Sequence, residues 1–231
     1  MKIAIIAAMK EELAPFREYF STEIFWGKGK TVIEKVHENL YIIESGIGKT
    51  NAAATAAWLC EKVAPDVIIN TGSIGSFRSD FDFGDVVLTD RFIYSDVDAT
   101  GFGYSFGQVP QMPKDYPVAT SLIKEVSEIL TNAGINFHSG TIATADSFMS
   151  DTDSINAIRL ALPSIVASDM ESCSIAQVAN FYDIPIINIR GISDHVGVSA
   201  PETFDETIDL ASNNAFKAVK SLIHTWQNAA E

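Results

Sequence analysis

An apolar run ends and a helix pattern begins within Val166-Ala167-Ser168-Asp169-Met170-Glu171-Ser172. Such a change of period is typical of a strand that is followed directly by a helix. Asp169 and Glu171 then lie just past the end of a strand. Ligands of α/β sheets bind at the carboxyl ends of the strands, so this segment predicts one wall of a ligand site.

Two further acids hold the same kind of position. Asp194 follows the apolar run that ends at Ser193, and Glu12 follows the first apolar run of the chain. Because acids past neighbouring strand ends can meet, Glu12, Glu171 and Asp194 are predicted to share one pocket. A second interpretation of Glu12 stays open, since an acid in the first turn of a helix is also stabilised by the helix dipole.

Strand and helix patterns alternate on both sides of this segment. Strands are predicted at 1–8, 66–70, 85–95, 137–145, 165–168 and 185–193, with short strands between 23 and 45. Helices are predicted at 10–20, 51–63, 118–133, 152–162, 172–182 and 206–226. We therefore expect one α/β domain over residues 1–231, with three α/β/α layers and a central mixed, mostly parallel twisted sheet.

The composition narrows the class of partner. The 231 residues carry 16 Lys and Arg against 30 Asp and Glu, a formal net charge of −14. This charge disfavours nucleic acids and anionic membranes, and it suits a neutral or cationic small molecule. Cys60 and Cys173 lie in no zinc or disulfide spacing, and no apolar run approaches the ~18 residues of a membrane span. We expect a cytoplasmic protein without a metal ion or an organic cofactor.

Two glycine-containing segments follow predicted strands. Ser-Gly-Ile-Gly-Lys-Thr at 45–50 resembles a phosphate-binding loop, but Ile43 stands where that motif needs a glycine. A close backbone approach to a small ligand stays possible there, as does simple punctuation between a strand and a helix. Thr-Gly-Ser-Ile-Gly-Ser at 71–76 places Ser73 at a strand end, either to hydrogen-bond a ligand or within an ordinary loop.

Residues 96–113 combine glycine and proline with the aromatic residues Phe102, Tyr104 and Phe106. Long loops of this kind in compact domains are usually functional or interfacial. Because three exposed aromatic rings would be unusual, this loop is predicted to line an apolar pocket or a subunit contact.

Six stretches, taken together, resemble the 5′-methylthioadenosine/S-adenosylhomocysteine nucleosidase family of the nucleoside phosphorylase superfamily. They are IAIIAAMKEE (3–12), SGIGK (45–49), PDVIINTGSIG (65–75), DVDATGFGYSFGQVPQMP (96–113), DME (169–171) and RGISD (190–194). The resemblance implies hydrolysis of the N-glycosidic bond of 5′-methylthioadenosine and S-adenosylhomocysteine, and of 5′-deoxyadenosine with them. Adenine and a 5-thioribose product would be released, in methionine salvage and the recycling of S-adenosylmethionine by-products.

The resemblance also implies a role for each acid. Asp194 corresponds to the general acid that protonates adenine N7, and Glu12 to the general base that activates water. Glu171 corresponds to the carboxylate that accepts hydrogen bonds from the ribose 2′ and 3′ hydroxyls. Arg190 and Ser73 are expected to orient Glu12 and the water, and a purely structural role stays open for both.

The remaining contacts are implied in the same way. The residues expected beside adenine are Phe148 and Met149. Those expected around the 5′-alkylthio group are Met9, Ile47, Met170 and Phe204. Further expected substrate contacts are Ile74, Gly75 and Ser193. Phe102 and Pro110 are expected to complete the site of a neighbouring subunit, which implies a homodimer.

Some positions depart from the family's usual residues. The family commonly has Glu at Asp169, Ala and Gly at Ile74 and Ser76, and Ser-Gly-Asp at residues 144–146, which read Thr-Ala-Asp here. The acids at positions 12, 171 and 194 are intact. These departures therefore affect the shape of the pocket and the substrate preference more than the type of reaction.

Three alternatives stay open at the level of sequence. A phosphorylase of the same superfamily would hold phosphate with arginines or amides, whereas Glu12 would repel it. Hydrolysis of a related adenosine or hypoxanthine nucleoside would use the same carboxylates. A nucleoside sensor without turnover would keep the pocket but would have no use for an acid and base pair.

Overall fold

Helices and strands alternate along residues 1–197 and 200–228, the parts of the chain that the computed structural model describes. The strands are β1 (Ile3–Ala7), β2 (Glu23–Lys28), β3 (Thr31–His37), β4 (Leu40–Glu44), β5 (Val67–Ser76), β6 (Val86–Tyr94), β7 (Tyr116–Pro117), β8 (Phe137–Thr144), β9 (Ile165–Asp169) and β10 (Ile186–His195). The helices are α1 (Lys10–Tyr19), α2 (Lys49–Val63), α3 (Thr120–Asn132), α4 (Thr152–Ala161), α5 (Ser172–Phe181) and α6 (Ala200–Asn228), with a 3₁₀ turn at Thr100–Phe102.

Hydrogen bonds join these strands into one mixed sheet. Its order is β10, β6, β8, β9, β5, β1, β4, β3 and β2, and β7 pairs with β6. Apart from the hairpin strands β2 and β3 and the short β7, five of the described strand pairs are parallel and two are antiparallel. The prediction of a mixed, mostly parallel sheet is therefore confirmed.

The sheet closes on itself at one end. β10 pairs with β5 as well as with β6, so β5, β9, β8, β6 and β10 form a closed circuit. The ends of β5, β9 and β10 come together in this circuit, although they are far apart in the sequence. No local pattern predicts which of these strands pair, so this closure did not follow from the sequence.

Helices cover both faces of the central strand β1. Ile3, Ile5 and Ala7 belong to a core shared with α1, α3 and α6, whereas Ala4 and Ile6 belong to a core shared with α2 and α5. Successive side chains of a strand point to opposite faces, so a strand covered on both sides must be apolar throughout. This is the three-layer arrangement that the apolar runs predict.

Two predicted boundaries were wrong. β5 continues to Ser76, where residues 71–76 were expected to lie past the strand end, because pairing with β10 and β9 extends over the small residues. α6 begins at Ala200 and not at Glu206. Pro201 fits its first turn, since that turn leaves the backbone N–H groups unpaired. Within the two described ranges, no helix is both long enough and apolar enough to cross a bilayer.

Candidate active site

Residues at the ends of β1, β4, β5, β8, β9 and β10 enclose a cavity of about 330 Å³ together with the start of α6. This volume is within the roughly 300–1,000 Å³ of small-molecule sites. Of the residues predicted for the site, those that line the cavity are Met9, Glu12, Ile47, Ser73, Ile74, Gly75, Phe148, Met149, Met170, Glu171, Arg190, Ser193, Asp194 and Phe204. The other lining residues are Ser168 and Asp169, from the segment 166–172 that was predicted as a wall, and Ala8, Ser147, Pro201 and Asp205, which were not predicted.

Glu12 is held by four hydrogen bonds at the start of α1. Its Oε2 accepts from the amides of Ala8 (2.9 Å) and Met9 (3.1 Å), and its Oε1 accepts from the amide (2.8 Å) and the hydroxyl (2.9 Å) of Ser73. The side chain is buried, and Arg190 Nη1 lies 3.9 Å from Oε1. The helix dipole does not account for this arrangement, because Ser73 belongs to β5 and not to α1.

Gly72 makes the approach of Glu12 to β5 possible. A Cβ at position 72 would lie 2.3 Å from Glu12 Oε1, and the φ of Gly72 is +133°. Any side chain there would collide with the carboxylate and strain the backbone. The glycine in the segment 71–76 therefore serves the close packing of Glu12 against the strand.

Arg190 is a buried cation among three carboxylates. Its Nε lies 3.1 Å from Asp169 Oδ2, its Nη2 lies 3.8 Å from Glu171 Oε2, and its Nη1 lies 3.9 Å from Glu12 Oε1. Nη1 also donates a hydrogen bond to the carbonyl oxygen of Ser73 (2.7 Å). A buried guanidinium must be paired, so these contacts fix the positions of the acids relative to one another.

Asn70 and Asn188 complete the surroundings of Arg190, and the sequence pattern did not single them out. Asn188 Oδ1 accepts from Arg190 Nε (3.2 Å), and Asn70 Oδ1 accepts from Nη2 (3.2 Å). Asn70 Nδ2 donates to Ser172 Oγ (2.8 Å). The available signal was an amide side chain inside an apolar strand, because buried amides need hydrogen-bond partners.

Asp169 supports the start of α5. Its Oδ1 accepts from Thr144 Oγ1 (2.7 Å) and from the amides of Glu171 (3.3 Å) and Ser172 (3.2 Å). Its Oδ2 contacts the Ser172 hydroxyl and Arg190 Nε. These contacts let Asp169 fix the positions of Glu171, Ser172 and Arg190 at the edge of the cavity.

Glu171 lies at the start of α5 and faces the turn that precedes α2. Its Oε1 accepts a hydrogen bond from the amide of Gly48 (2.9 Å). Burial and the neighbouring charge of Asp169 raise the pKa of Glu171 to about 8, against the opposing effects of Arg190 and the Gly48 amide. A ligand that donates hydrogen bonds to Glu171 would stabilise its ionised form.

Asp194 lies near the end of β10, and its side chain accepts one hydrogen bond from a side chain within the described residues. Its Oδ1 accepts from Ser193 Oγ (2.8 Å), and a Cβ on Gly75 would lie 2.8 Å from its Oδ2. Burial raises the pKa of Asp194, while Ser193 and the adjacent His195 lower it by a smaller amount. The carboxyl therefore holds a proton to a higher pH than an exposed aspartate does.

Apolar side chains form the rest of the wall. The rings of Phe148 and Phe204 meet edge to face with their centroids 6.1 Å apart. Met149 is buried, whereas about half of Ile47 and of Phe148 is exposed. Half-exposed apolar side chains beside a cavity offer a surface that a flat, partly apolar ligand can cover.

Known proteins are similar to this chain over nearly all of its length. A family model described as the phosphorylase superfamily matches residues 2–224. A 5′-methylthioadenosine/S-adenosylhomocysteine nucleosidase of Listeria monocytogenes is 38% identical over 97% of this chain and 100% of its own length. A nucleosidase of the same name from Geobacillus sp. (strain WCH70) is 36% identical over 98% of this chain and 100% of its own.

This chain belongs to that nucleosidase family. A crystal structure of the family from Neisseria meningitidis, in complex with methylthio-immucillin-A, superimposes with a TM-score of 0.92 at 32% identity. The superposition covers 97% of this chain and 99% of that one. The resemblance and the nucleoside phosphorylase-like fold that the sequence predicts are both confirmed.

Phe102 and Pro110 lie outside the cavity of their own chain. Phe102 is 88% exposed at the end of the 3₁₀ turn, and Pro110 is exposed as well. Phe106, from the same loop, lines a neighbouring groove that Phe148 and Met149 also line. The contribution of Phe102 and Pro110 to the site of a second nucleosidase subunit stays a prediction.

Two buried carboxyl groups with different surroundings, those of Glu12 and Asp194, line the cavity. Glu12 is surrounded by donors that stabilise a carboxylate, whereas burial of Asp194 favours its protonated form. Glycosidic bonds are hydrolysed by such a division of labour between two carboxyl groups. Within residues 1–197 and 200–228, no three His, Cys, Asp or Glu side chains are grouped so as to hold a metal ion.

Proposed function

We propose that this nucleosidase hydrolyses the N-glycosidic bond of 5′-methylthioadenosine and S-adenosylhomocysteine, with adenine and the 5-thioribose product released. We place 5′-deoxyadenosine beside them as a further substrate, and the reaction in methionine salvage and the recycling of S-adenosylmethionine by-products. The observation that carries the proposal is the pair of buried acids, Glu12 and Asp194, which line one cavity in contrasting hydrogen-bond environments. Relatives that bear the name of this activity match 97–98% of the chain.

Asp194 is the proposed general acid. Adenine is a poor leaving group until its N7 receives a proton, so the acid must still hold one near neutral pH. The raised pKa of the buried Asp194 suits this role. The base would lie between the carboxyl group and the ring of Phe148, which also lines the cavity.

Glu12 is the proposed general base on the attacking water. Three of its four donors are backbone amides, and the fourth is the rotatable hydroxyl of Ser73. The hydroxyl can leave Glu12 and bind the water, which frees a lone pair of Oε1 for the proton of that water. Arg190, through the Ser73 carbonyl, orients this unit.

Glu171 is the proposed ribose ligand. Only its Oε1 accepts a described hydrogen bond, from Gly48, so lone pairs on both oxygens are available to the 2′ and 3′ hydroxyls. A substrate without a 2′ hydroxyl would leave a buried carboxylate underbonded, which gives selectivity for ribose. The 5′-alkylthio group would then lie among Met9, Ile47, Met170 and Phe204.

The proposed enzyme is a homodimer. Phe102 would be an unusual ring to leave 88% exposed in a monomer, and it lies on the same loop as Pro110. Both would cover the 5′ end of the neighbouring site, so each subunit would complete the cavity of the other.

The experiment is the release of adenine from 5′-methylthioadenosine by purified protein in phosphate-free buffer. We expect full turnover there, with free 5-methylthioribose as the second product. A rate that appears only after phosphate is added, with a sugar 1-phosphate as product, would assign the protein to the phosphorylases. Binding of the nucleoside without either product would assign it to the sensors.

A further inference from the structure

Lys49 belongs to the Gly-Ile-Gly-Lys-Thr segment that resembles a phosphate-binding loop but lacks its first glycine. Its ammonium group faces two acids. Nζ lies 2.6 Å from Asp96 Oδ2 and 4.0 Å from Asp146 Oδ2, and it lies over the ring of Tyr94 at 5.3 Å. With two carboxylates this close, the lysine has no free positive charge to offer a phosphate.

The three residues of this ion pair network come from three different segments of the chain. Lys49 opens α2 directly after the turn 45–48, Asp96 begins the long loop 96–113, and Asp146 begins the loop 146–149. Asp96 Oδ2 also accepts a hydrogen bond from the amide of Asp146 (2.9 Å). The network therefore joins the loop that carries Phe148 to the turn that precedes α2.

The backbone at the start of α2 makes the same connection. The amide of Gly48 donates to Glu171 Oε1 (2.9 Å), and the next amide, that of Lys49, donates to Asp146 Oδ1 (2.7 Å). Two consecutive N–H groups at a helix N-terminus thus hold two carboxylates, that of Glu171, which lines the cavity, and that of Asp146, which directly precedes the lining residues 147–149. Gly48 has φ +95°, and a Cβ there would lie 3.0 Å from Asp146 Oδ1.

We propose that Lys49 is a positioning residue that holds the base-side loop 146–149 against the sugar-side turn 45–48 and thereby sets the affinity for the nucleoside. This inference rests on the proposed function, because that function makes Phe148 the partner of the base and Glu171 the partner of the ribose. Lys49 touches neither the reacting atoms nor the cavity. Its substitution therefore changes binding of the base more than the chemical step.

The charges of these side chains predict the effect of removing the lysine. Without the ammonium group, the carboxylates of Asp96 and Asp146 repel each other across the position that Lys49 Nζ occupied. The hydrogen bond from the backbone amide of residue 49 to Asp146 Oδ1 remains, so the loop 146–149 stays attached but is held less closely to the turn, and the ring of Phe148 shifts with it. Removal of one of the two negative charges relieves the repulsion, so Asp96→Asn should rescue a variant that lacks the lysine. The amide oxygen of asparagine still accepts the hydrogen bond from the amide of Asp146.

The test compares four variants of the network: Lys49→Met, Lys49→Arg, Asp96→Asn and the double variant Lys49→Met/Asp96→Asn. The matched control is Lys62→Met, because Lys62 is an exposed lysine at the other end of α2. The measurements are kcat and KM for 5′-methylthioadenosine and the inhibition constant of free adenine. For Lys49→Met we expect KM and the inhibition constant to rise roughly fivefold, the size typical of a partly exposed ion pair network, with kcat within about twofold. The arginine variant and the double variant should return both constants to within about twofold of the wild type.

Two results would overturn the positioning role. One is an unchanged KM in Lys49→Met. The other is a joint loss of kcat, KM and thermal stability that neither Lys49→Arg nor Asp96→Asn restores, since that pattern belongs to a residue needed only for folding. These results differ from those expected if the proposed function is wrong, because the wild-type protein itself would then release no adenine.

Discussion

Glu12 and Asp194 line the same cavity and are equally buried, at 2% and 3% exposure, yet their carboxylates meet different surroundings. Glu12 accepts four hydrogen bonds and lies 3.9 Å from a guanidinium nitrogen of Arg190. The described contacts of Asp194 include one donor, the hydroxyl of Ser193, and burial raises its pKa. Because the two side chains are equally buried, the difference between them lies in the number of hydrogen-bond donors and in the nearby positive charge.

The difference teaches how one cavity can hold an acid and a base at the same pH. Burial raises the pKa of Asp194, which has one described donor, whereas four hydrogen bonds hold the carboxylate of Glu12 in place. The donors come from the backbone at the start of α1 and from β5, so the fold itself supplies them. The comparison therefore predicts unequal responses to substitution at the two positions.

The largest effect is expected for Asp194→Asn. Adenine would have to depart without a proton, so kcat should fall about 10³-fold while KM changes little. Asp209→Asn, which neutralises an exposed acid of α6, is the matched control and should retain full activity. Steady-state adenine release measures both. A kcat within tenfold of the wild type in Asp194→Asn would remove the general acid from this account.

Glu12→Gln is expected to reduce kcat about 10²-fold, because the amide cannot take a proton from water. Glutamine keeps one oxygen that accepts from Ser73 but turns its NH₂ group toward the donating amides of Ala8 and Met9, so thermal unfolding of the variant is measured beside kcat to separate a loss of stability from a loss of catalysis. Glu11→Gln, one position earlier and exposed, is the control with the same change of charge. Equal losses in the Glu11 and Glu12 variants would show that net charge matters and general-base chemistry does not.

Glu171→Gln should act on both binding and the pH dependence of stability. Loss of the charged ribose ligand should raise KM roughly tenfold. In the wild type, the raised pKa of Glu171 contributes stability that is full below its ordinary value of 4.5 and is lost as the pH rises through about 8. Denaturant unfolding on both sides of this window should show the wild type losing free energy of unfolding relative to Glu171→Gln. A difference in the free energy of unfolding between the two proteins that does not change with pH would contradict the raised pKa of Glu171.

The smallest effect is expected for Ser193→Ala. The Ser193 hydroxyl lowers the pKa of Asp194, so its removal should raise that pKa further. The general acid would then stay protonated to higher pH, and the alkaline limb of the pH–kcat profile should move upward. At neutral pH, kcat should change by less than about threefold. A shift of this limb to lower pH would contradict the assigned effect of Ser193 on the pKa of Asp194.

Much of the fold could be predicted because its signals are local. Apolar strands such as β1 and helical spacing such as that of α1 lie in contiguous stretches, and their boundaries agree within a few residues. The end of β5 and the closure of the sheet through β5, β9, β8, β6 and β10 could not be predicted. Strand pairing between distant segments decided both, and it overrode the loop-like composition of residues 71–76.

The sequence predicted the part of the site that consists of individual acidic residues after strands. Glu12, Glu171 and Asp194 stand past or near strand ends and line one cavity, as the pattern predicts. The sequence did not predict Asn70 and Asn188 as site residues. The role of an asparagine in a strand can be assigned only when its hydrogen-bond partner, here Arg190, is known. The raised pKa values also depend on burial and donor counts that need coordinates.

The opposite roles of Glu12 and Asp194 are tested most directly with a 5-methylthioriboside whose leaving group, p-nitrophenolate, departs without protonation. The measurement is kcat/KM for this substrate and for 5′-methylthioadenosine in the wild type, Asp194→Asn and Glu12→Gln. We predict that Asp194→Asn cleaves the p-nitrophenyl substrate within about tenfold of the wild type although it is about 10³-fold slower on the adenine substrate, whereas Glu12→Gln is slow on both. An Asp194→Asn enzyme that is equally impaired on both substrates would contradict the assignment of acid and base.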